Sequence, residues 1–245
     1  LSNRVKLALN SIGEPAVPRL VELLTGKEDD IVIRKVVEAG STVPVVRFTA
    51  ALMLGSLGSP TAVDPLIKNI PESSCKPIVK KKEDPKKKDK KKKDEEEEDE
   101  DPDKADNENL RNAIVTSLGQ IGDPKAAAAI CPCTQATVHF EEQFMMAEGL
   151  GYVGGDEAPK CLINFLKTAE SDPESLPTTD KTPLSIRVEA GRFAVLAAGP
   201  DQVAAVREAF AANTDPKVVE GLKQWEPALQ TLETCKGDQA CYLKT

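Results

Sequence analysis

The chain has 245 residues, 40 of them acidic against 32 Lys and Arg, for a net charge of −8 and a pI near 5.0. That balance argues against nucleic acid as the main partner, because phosphate binding needs a clustered excess of Lys and Arg. No apolar run approaches the roughly 18 residues of a membrane span, and 40% apolar with only 4% aromatic residues suits closely packed, Ala- and Gly-rich helices.

In chain order, residues 1–11 and 14–25 read as two helices, the second with Val17, Leu20, Val21 and Leu24 as its apolar stripe. Residues 26–45 mix apolar and charged side chains (Ile31, Val32, Ile33, Val36, Val37) and read as a short extra helix or a loop, ended by Pro44. Val46–Pro60 then gives the clearest pattern. Apolar residues at 46, 50, 54 and 57 share one helical face, Gly58 suits a left-handed helix end, and Pro60 suits the first turn of the next helix. That second helix runs from Thr61 to about Ile70 on Val63, Leu66, Ile67 and Ile70.

The pair recurs. Residues 110–124 (Leu-Arg-Asn-Ala-Ile-Val-Thr-Ser-Leu-Gly-Gln-Ile-Gly-Asp-Pro) repeat 46–60 in register, and 142–156 keep Met146, Ala147, Leu150, Gly151, Val153 and Gly154. Ile186-Arg187 opens another copy, Asp215–Val219 a more divergent one, and Leu9, Ile12, Gly13 and Pro15 match Leu54, Leu57, Gly58 and Pro60. Copies starting at 1, 46, 110, 142, 186 and 218 lie 45, 64, 32, 44 and 32 residues apart, so a 32-residue unit carries insertions of 13, 32 and 12. Six helical pairs forming one domain over 1–245 are expected. Because the first copy opens inside a helix without an initiator Met, the chain reads as part of a longer chain or larger assembly.

The second insertion, 76–109, holds 12 Lys and 14 acidic residues, with ten Lys among 80–93 and eleven acids among 94–108. Such composition reads as a disordered, solvated loop. An electrostatic tether for a charged partner and a nuclear-localisation signal are lesser readings. The third insertion, Ser171–Pro183, reads as a surface loop rich in Pro, Ser and Thr.

The pattern Val/Leu/Ile-Arg-x-x-Ala-Ala-x-x-Leu-Gly-x-Ile-Gly-Asp-Pro resembles the short HEAT repeat, the kind also found in phycobilisome lyases. It weakens where Val195 replaces the first Gly and where Trp225-Glu226-Pro227 interrupts a turn. The resemblance implies an all-α, right-handed α-α superhelix whose second helices line a concave groove. It implies no single chemistry, because the fold serves many partners.

Candidate residues follow from repetition and from cysteine placement. Arg47, Arg111 and Arg187 hold one position in three copies, and Asp123, Asp156 and Asp201 recur at the turn, which suggests an Arg–Asp ladder between neighbouring repeats. Cys235 and Cys241 bracket a Gly-Asp turn with few core features, so a disulfide closing that loop accounts for them best. Cys75 and Cys131/Cys133 end equivalent helices of adjacent copies, which puts a bridge from Cys75 to one of the pair within reach. Cys161, inside a repeat helix, is accounted for as a small hydrophobe. A zinc site of Cys131, Cys133 and His139 with Cys75 or Cys161 competes, but Cys-x-Cys is not the Cys-x2–4-Cys knuckle spacing. The even Cys count and these surface-like positions lean towards an exported, oxidising compartment, with the cytoplasm as the alternative.

His139 is the lone His. It cannot furnish the several His-Glu pairs of deoxyhypusine hydroxylase, a HEAT-like di-iron enzyme, and no Gly-x-Ser-x-Gly turn or phosphate loop is present. The expectation is therefore a non-enzymatic scaffold, without a cofactor or metal, that binds a protein or peptide. Groove segments 61–69, 125–131, 157–167 and 201–210 offer Lys68, Asn69, Lys160, Asn164, Lys167 and Arg207 as contacts. The alternative is a lyase-like accessory that cradles a chromophore or protein substrate.

Overall fold

The computed structural model describes residues 11–27, 29–77, 103–171, 185–236 and 241, together with the backbone of 178–179 and 182–183. The expected first helix, 1–11, and most of the charged insertion lie outside these. Among the described residues twelve α-helices run in order: α1 (Val17–Thr25), α2 (Ile31–Glu38), α3 (Val43–Leu57), α4 (Val63–Lys68), α5 (Lys104–Ile121), α6 (Ala127–Ile130), α7 (Phe140–Val153), α8 (Glu157–Thr168), α9 (Ile186–Ala197), α10 (Val203–Ala211), α11 (Pro216–Lys223) and α12 (Glu226–Cys235). Among the described residues the only strands are a two-residue antiparallel pairing of Thr178–Thr179 with Thr182–Pro183. The chain is an all-α solenoid in which α3, α5, α7 and α9 stack side by side as first helices, and α4, α6, α8 and α10 follow them as second helices.

Local chemistry repeats from pair to pair. Gly58 (φ 65°) and Gly122 (φ 73°) end α3 and α5 in the left-handed region, which frees the chain to reverse. Ser59 and Asp123 then cap the following turn, accepting from the backbone N–H of Thr61 (3.2 Å) and Lys125 (3.0 Å). Pro60 and Pro124 open a short 3-10 turn that leads into the second helix.

Apolar stripes of both helix rows form one continuous core, including Leu24, Leu54, Leu66, Ile114, Leu118, Ile130, Met146, Leu150, Leu162, Phe165 and Phe193. First helices approach one another closely through small residues. A Cβ on Gly55 would stand 2.6 Å from Ser117 Cα, and one on Gly119 would stand 3.1 Å from Gly149 Cα. At the same interface the buried Ser117 hydroxyl donates to the Ala51 carbonyl of α3 at 2.8 Å.

Several boundaries differ from the sequence reading. Pro44 does not end an insertion; it lies in the first turn of α3, where its missing N–H is harmless. The insertion before it contains helix α2, capped by the Asp30 carboxylate, which accepts from Val32 N (2.8 Å) and Ile33 N (3.2 Å). Helix α5 begins at Lys104, inside the segment assigned to the charged loop. The second helices of these two copies are short, six residues in α4 and four in α6. They continue as 3-10 turns at Glu72–Cys75 and Cys131–Gln135, because Pro71 and Pro132 cannot extend an α-helical ladder.

Candidate functional site

The side of the solenoid formed by the second helices is where sequence placed the contacts, and the structure sorts them. Lys68 is exposed in the last turn of α4, and Asn164 and Lys167 are exposed on α8. Among the described residues no side-chain hydrogen bond or ion pair engages these three. Asn69 is half-buried and turned inward, its amide donating to the Pro65 carbonyl at 2.9 Å. Lys160 pairs with Glu157 at 2.7 Å on its own helix, and the hydrogen bond it donates to that carboxylate raises its pKa.

Arg207 is engaged within the chain. It bridges repeats, donating from Nε to Glu226 (2.6 Å) and from Nη1 to Glu233 (2.7 Å), so α10 is clamped to α12. The hydrogen bonds it donates to Glu233 and Glu226 raise its pKa.

Between Lys68 and the α8 residues lies a covalently tied strip. Cys75, at the end of the turn after α4, bonds to Cys133, with Cα atoms 4.1 Å apart. Cys131, two residues before, bonds to Cys161 of α8, Cα to Cα 5.7 Å. The Cys131–Gln135 turn therefore carries one disulfide to the copy before it and one to the copy after it. Cys161 is thus not merely a small hydrophobe: it is buried at 8% exposure and cross-linked. The signal that would have found it is parity, since pairing Cys75 with one member of Cys131/Cys133 leaves the other in need of a partner. Cys235 bonds to Cys241 at 5.4 Å between Cα atoms. Sulfurs bonded to one another are not thiolate ligands, and His139 stands exposed at the start of α7, so these residues do not fit the zinc alternative. Among the described residues no other group of three or more His, Cys, Asp or Glu has metal-site geometry.

The recurring arginines form a ladder of a different kind from the one expected. Arg47 Nε donates to the Leu24 carbonyl at 2.9 Å, Arg111 Nη1 to the Ser74 carbonyl at 2.6 Å, and Arg187 Nε to the Ala169 carbonyl at 2.9 Å. Each acceptor lies where the preceding second helix, or the turn continuing it, ends. There the last carbonyls lack intrahelical partners and the helix dipole favours a cation. In the copy between, Gln143 takes the position and donates to the Thr137 carbonyl at 3.1 Å.

The aspartates sit at the other end of the first helices, too far to meet these arginines. Asp123 caps its turn, Asp156 accepts from Gln202 at 3.4 Å, and Asp201 is exposed in the Pro200–Gln202 turn. The second residue of each of these copies therefore seeks the backbone of its neighbour, not a turn carboxylate.

Arg111 is the most deeply placed of the ladder, with no exposed surface. Its Nη2 meets Glu142 at 3.0 Å and its Nε meets Asn112 at 3.0 Å. Burial pushes Glu142 up; hydrogen bonds from Thr137, Arg111 and Asn112, with the Arg111 charge, more than reverse that and leave its pKa lowered. Arg47 is half-buried, and that burial lowers its pKa.

A second surface feature was not foreseen. Helices α1, α2 and α3 enclose an open apolar groove of about 620 Å³, lined among the described residues by Leu20, Leu23, Val36, Val46, Ala50 and Met53. Recognising α2 as amphipathic would have pointed to it. No helix among the described residues is long and apolar enough to cross a membrane.

Compared with known families, the chain matches the PBS lyase HEAT-like repeat at residues 46–70 and again at 110–135. The first match covers most of α3, the turn and α4; the second covers most of α5, the turn, α6 and the Cys131–Gln135 turn. No curated protein matches the chain. The repeat matches and the helix stack agree: this is a HEAT-like repeat protein.

Proposed function

We propose that this HEAT-like solenoid is a non-enzymatic scaffold that binds a protein or peptide segment along the side formed by its second helices. The supporting observation is that Lys68, Asn164 and Lys167 stand exposed on that side without a side-chain partner among the described residues, whereas Lys160 and Arg207 are engaged within the chain. Peptides selected on the immobilised chain from a random library test it. Their affinity should fall at least tenfold in a Lys68→Glu/Lys167→Glu variant and stay unchanged in Glu141→Lys, which lies at the start of a first helix. Equal affinity for all three proteins would reject the groove as the binding surface.

The match to a repeat named for phycobilisome lyases favours one second reading, a solenoid that cradles a chromophore or protein substrate. Incubation with a bilin and an acceptor protein should then yield a covalent, coloured adduct, and no adduct should form if the chain is only a scaffold. The three disulfides further support an exported working compartment, since such bonds persist where the surroundings are oxidising.

A further inference from the structure

The Cys75–Cys133 bond and buried Arg111 meet at a single residue. Ser74 is buried at 8% exposure, immediately precedes Cys75, and offers the carbonyl that accepts the 2.6 Å bond from Arg111 Nη1. Its own hydroxyl turns back to the Pro71 carbonyl at 2.7 Å, which shapes the Glu72–Cys75 turn. That turn is a single 3-10 turn followed by extended backbone at Lys76. Its own hydrogen bonds run only from Ser74 back to Pro71, and two ties fix it against the next repeat, the Arg111 bond and the disulfide to Cys133. On the far side, Cys131–Cys161 fixes the same Cys131–Gln135 turn to α8. Arg111 in turn links α5 to α7 through Glu142. Covalent and electrostatic ties between three successive repeats therefore run through one strip of short turns.

We propose that the two disulfides centred on Cys131-Pro132-Cys133 are a redox-responsive clamp on the middle of the solenoid. A dithiol reductant gives each disulfide two electrons and two protons. The S–S bond breaks, two thiols form on the protein, and the reductant leaves as its own cyclic disulfide. Once Cys75 is free, the 72–77 segment withdraws from the Cys131–Gln135 turn and takes the Ser74 carbonyl with it. A fully buried guanidinium then lacks one of its acceptors, which is costly for a charge out of water. Reduction at the surface strip is thereby felt in the packing of α5 against α7. The tail bond, Cys235–Cys241, stands outside this linkage and spans only six residues.

Hydrogen exchange read by mass spectrometry on the full chain, with and without dithiothreitol, tests the clamp. Amides of 72–76 and 131–136 should exchange at least tenfold faster after reduction, and those of the first half of α5 should follow. A Cys235→Ser/Cys241→Ser variant kept oxidised should leave those segments at the wild-type rate. Arg111→Met in the oxidised protein should accelerate 72–76. Combined with Cys75→Ser/Cys133→Ser, it should add less than the sum of the two separate effects. Exchange in 72–76 and 131–136 that is unchanged by dithiothreitol would overturn the proposal, and so would full additivity. The dithiothreitol comparison uses the unmodified chain, so it decides the matter even if the Cys75→Ser/Cys133→Ser variant does not fold.

Discussion

Arg111 is a guanidinium with none of its surface exposed, held by a carbonyl, a carboxylate and a side-chain amide. Truncating one member of such a group leaves the others buried without their partner, so Arg111→Ala should cost about 3 kcal/mol or more in urea unfolding. Arg47 makes one bond to a carbonyl from a half-buried site, and Arg47→Ala should cost less, about 1.5 kcal/mol. Glu142 reports on the same group. Its pKa is lowered in the folded chain, so its contribution is present above the ordinary carboxylate range near 4.3 and is lost as pH falls through the folded value. In Arg111→Ala, burial is left with less opposition, and the Glu142 carboxyl carbon should titrate at higher pH by nuclear magnetic resonance. The arginine position was legible in the sequence because it repeats. Its acceptor was not, since a backbone carbonyl has no letter of its own and a recurring Asp drew the eye instead.

At the scale of elements, apolar periodicity marked helices wherever one face is buried and failed where it is not. Helix α5 begins with Lys104-Ala105-Asp106-Asn107-Glu108-Asn109, a polar turn and a half that projects beyond the core and reads like the charged run before it. Helix α2 was one of two open readings because its attachment is ionic as much as apolar. Arg19 of α1 grips Asp30 through two bonds of 2.6 and 2.7 Å. That hydrogen bonding, with the Val32 and Ile33 amides, holds the Asp30 carboxyl at about 2. A depressed carboxylate stabilises above its unfolded pKa and ceases to as pH falls through the folded one. The α2 anchor should therefore persist above about pH 4 and fail towards pH 2. The Asp30 carboxyl resonance should titrate near 2 in the native chain and move up towards the ordinary range in Arg19→Gln, where the Val32 and Ile33 amides remain. Packing of the first helices makes a sharper demand. Gly55→Ala sets a methyl 2.6 Å from the Ser117 backbone and should cost about 1–3 kcal/mol of thermal stability through forced separation of α3 from α5. Gly58→Ala meets nothing within 4 Å and should cost about 1–2 kcal/mol, through its left-handed backbone alone.

For the whole molecule, spacing arithmetic revealed the stack because each pair must bury its face on the next, which imposes one pattern many times. The cross-links between pairs are different: they join positions 58 and 30 residues apart and follow no period. Only their even number hinted at completeness. The charged insertion enters and leaves beside this strip, at the Cys75 turn and the start of α5, and residues 78–102 lie outside the described structure. Replacing 78–102 with a short Gly-Ser linker should change unfolding stability by no more than about 1 kcal/mol, since loop-closure entropy varies slowly with length. The disulfides also decide how the chain bears tension. A pull applied at its two ends enters the strip at Cys75, crosses to Cys133, passes back over Pro132 to Cys131 and leaves through Cys161. Residues 76–130 and 134–160, about 80 in all, carry no load while both bonds stand. Stretched singly in an optical trap, the oxidised chain should extend roughly 300 Å less than the reduced one, at about 3.6 Å for each shielded residue. The central α5 and α7 would stay folded under forces that open the repeats at either end.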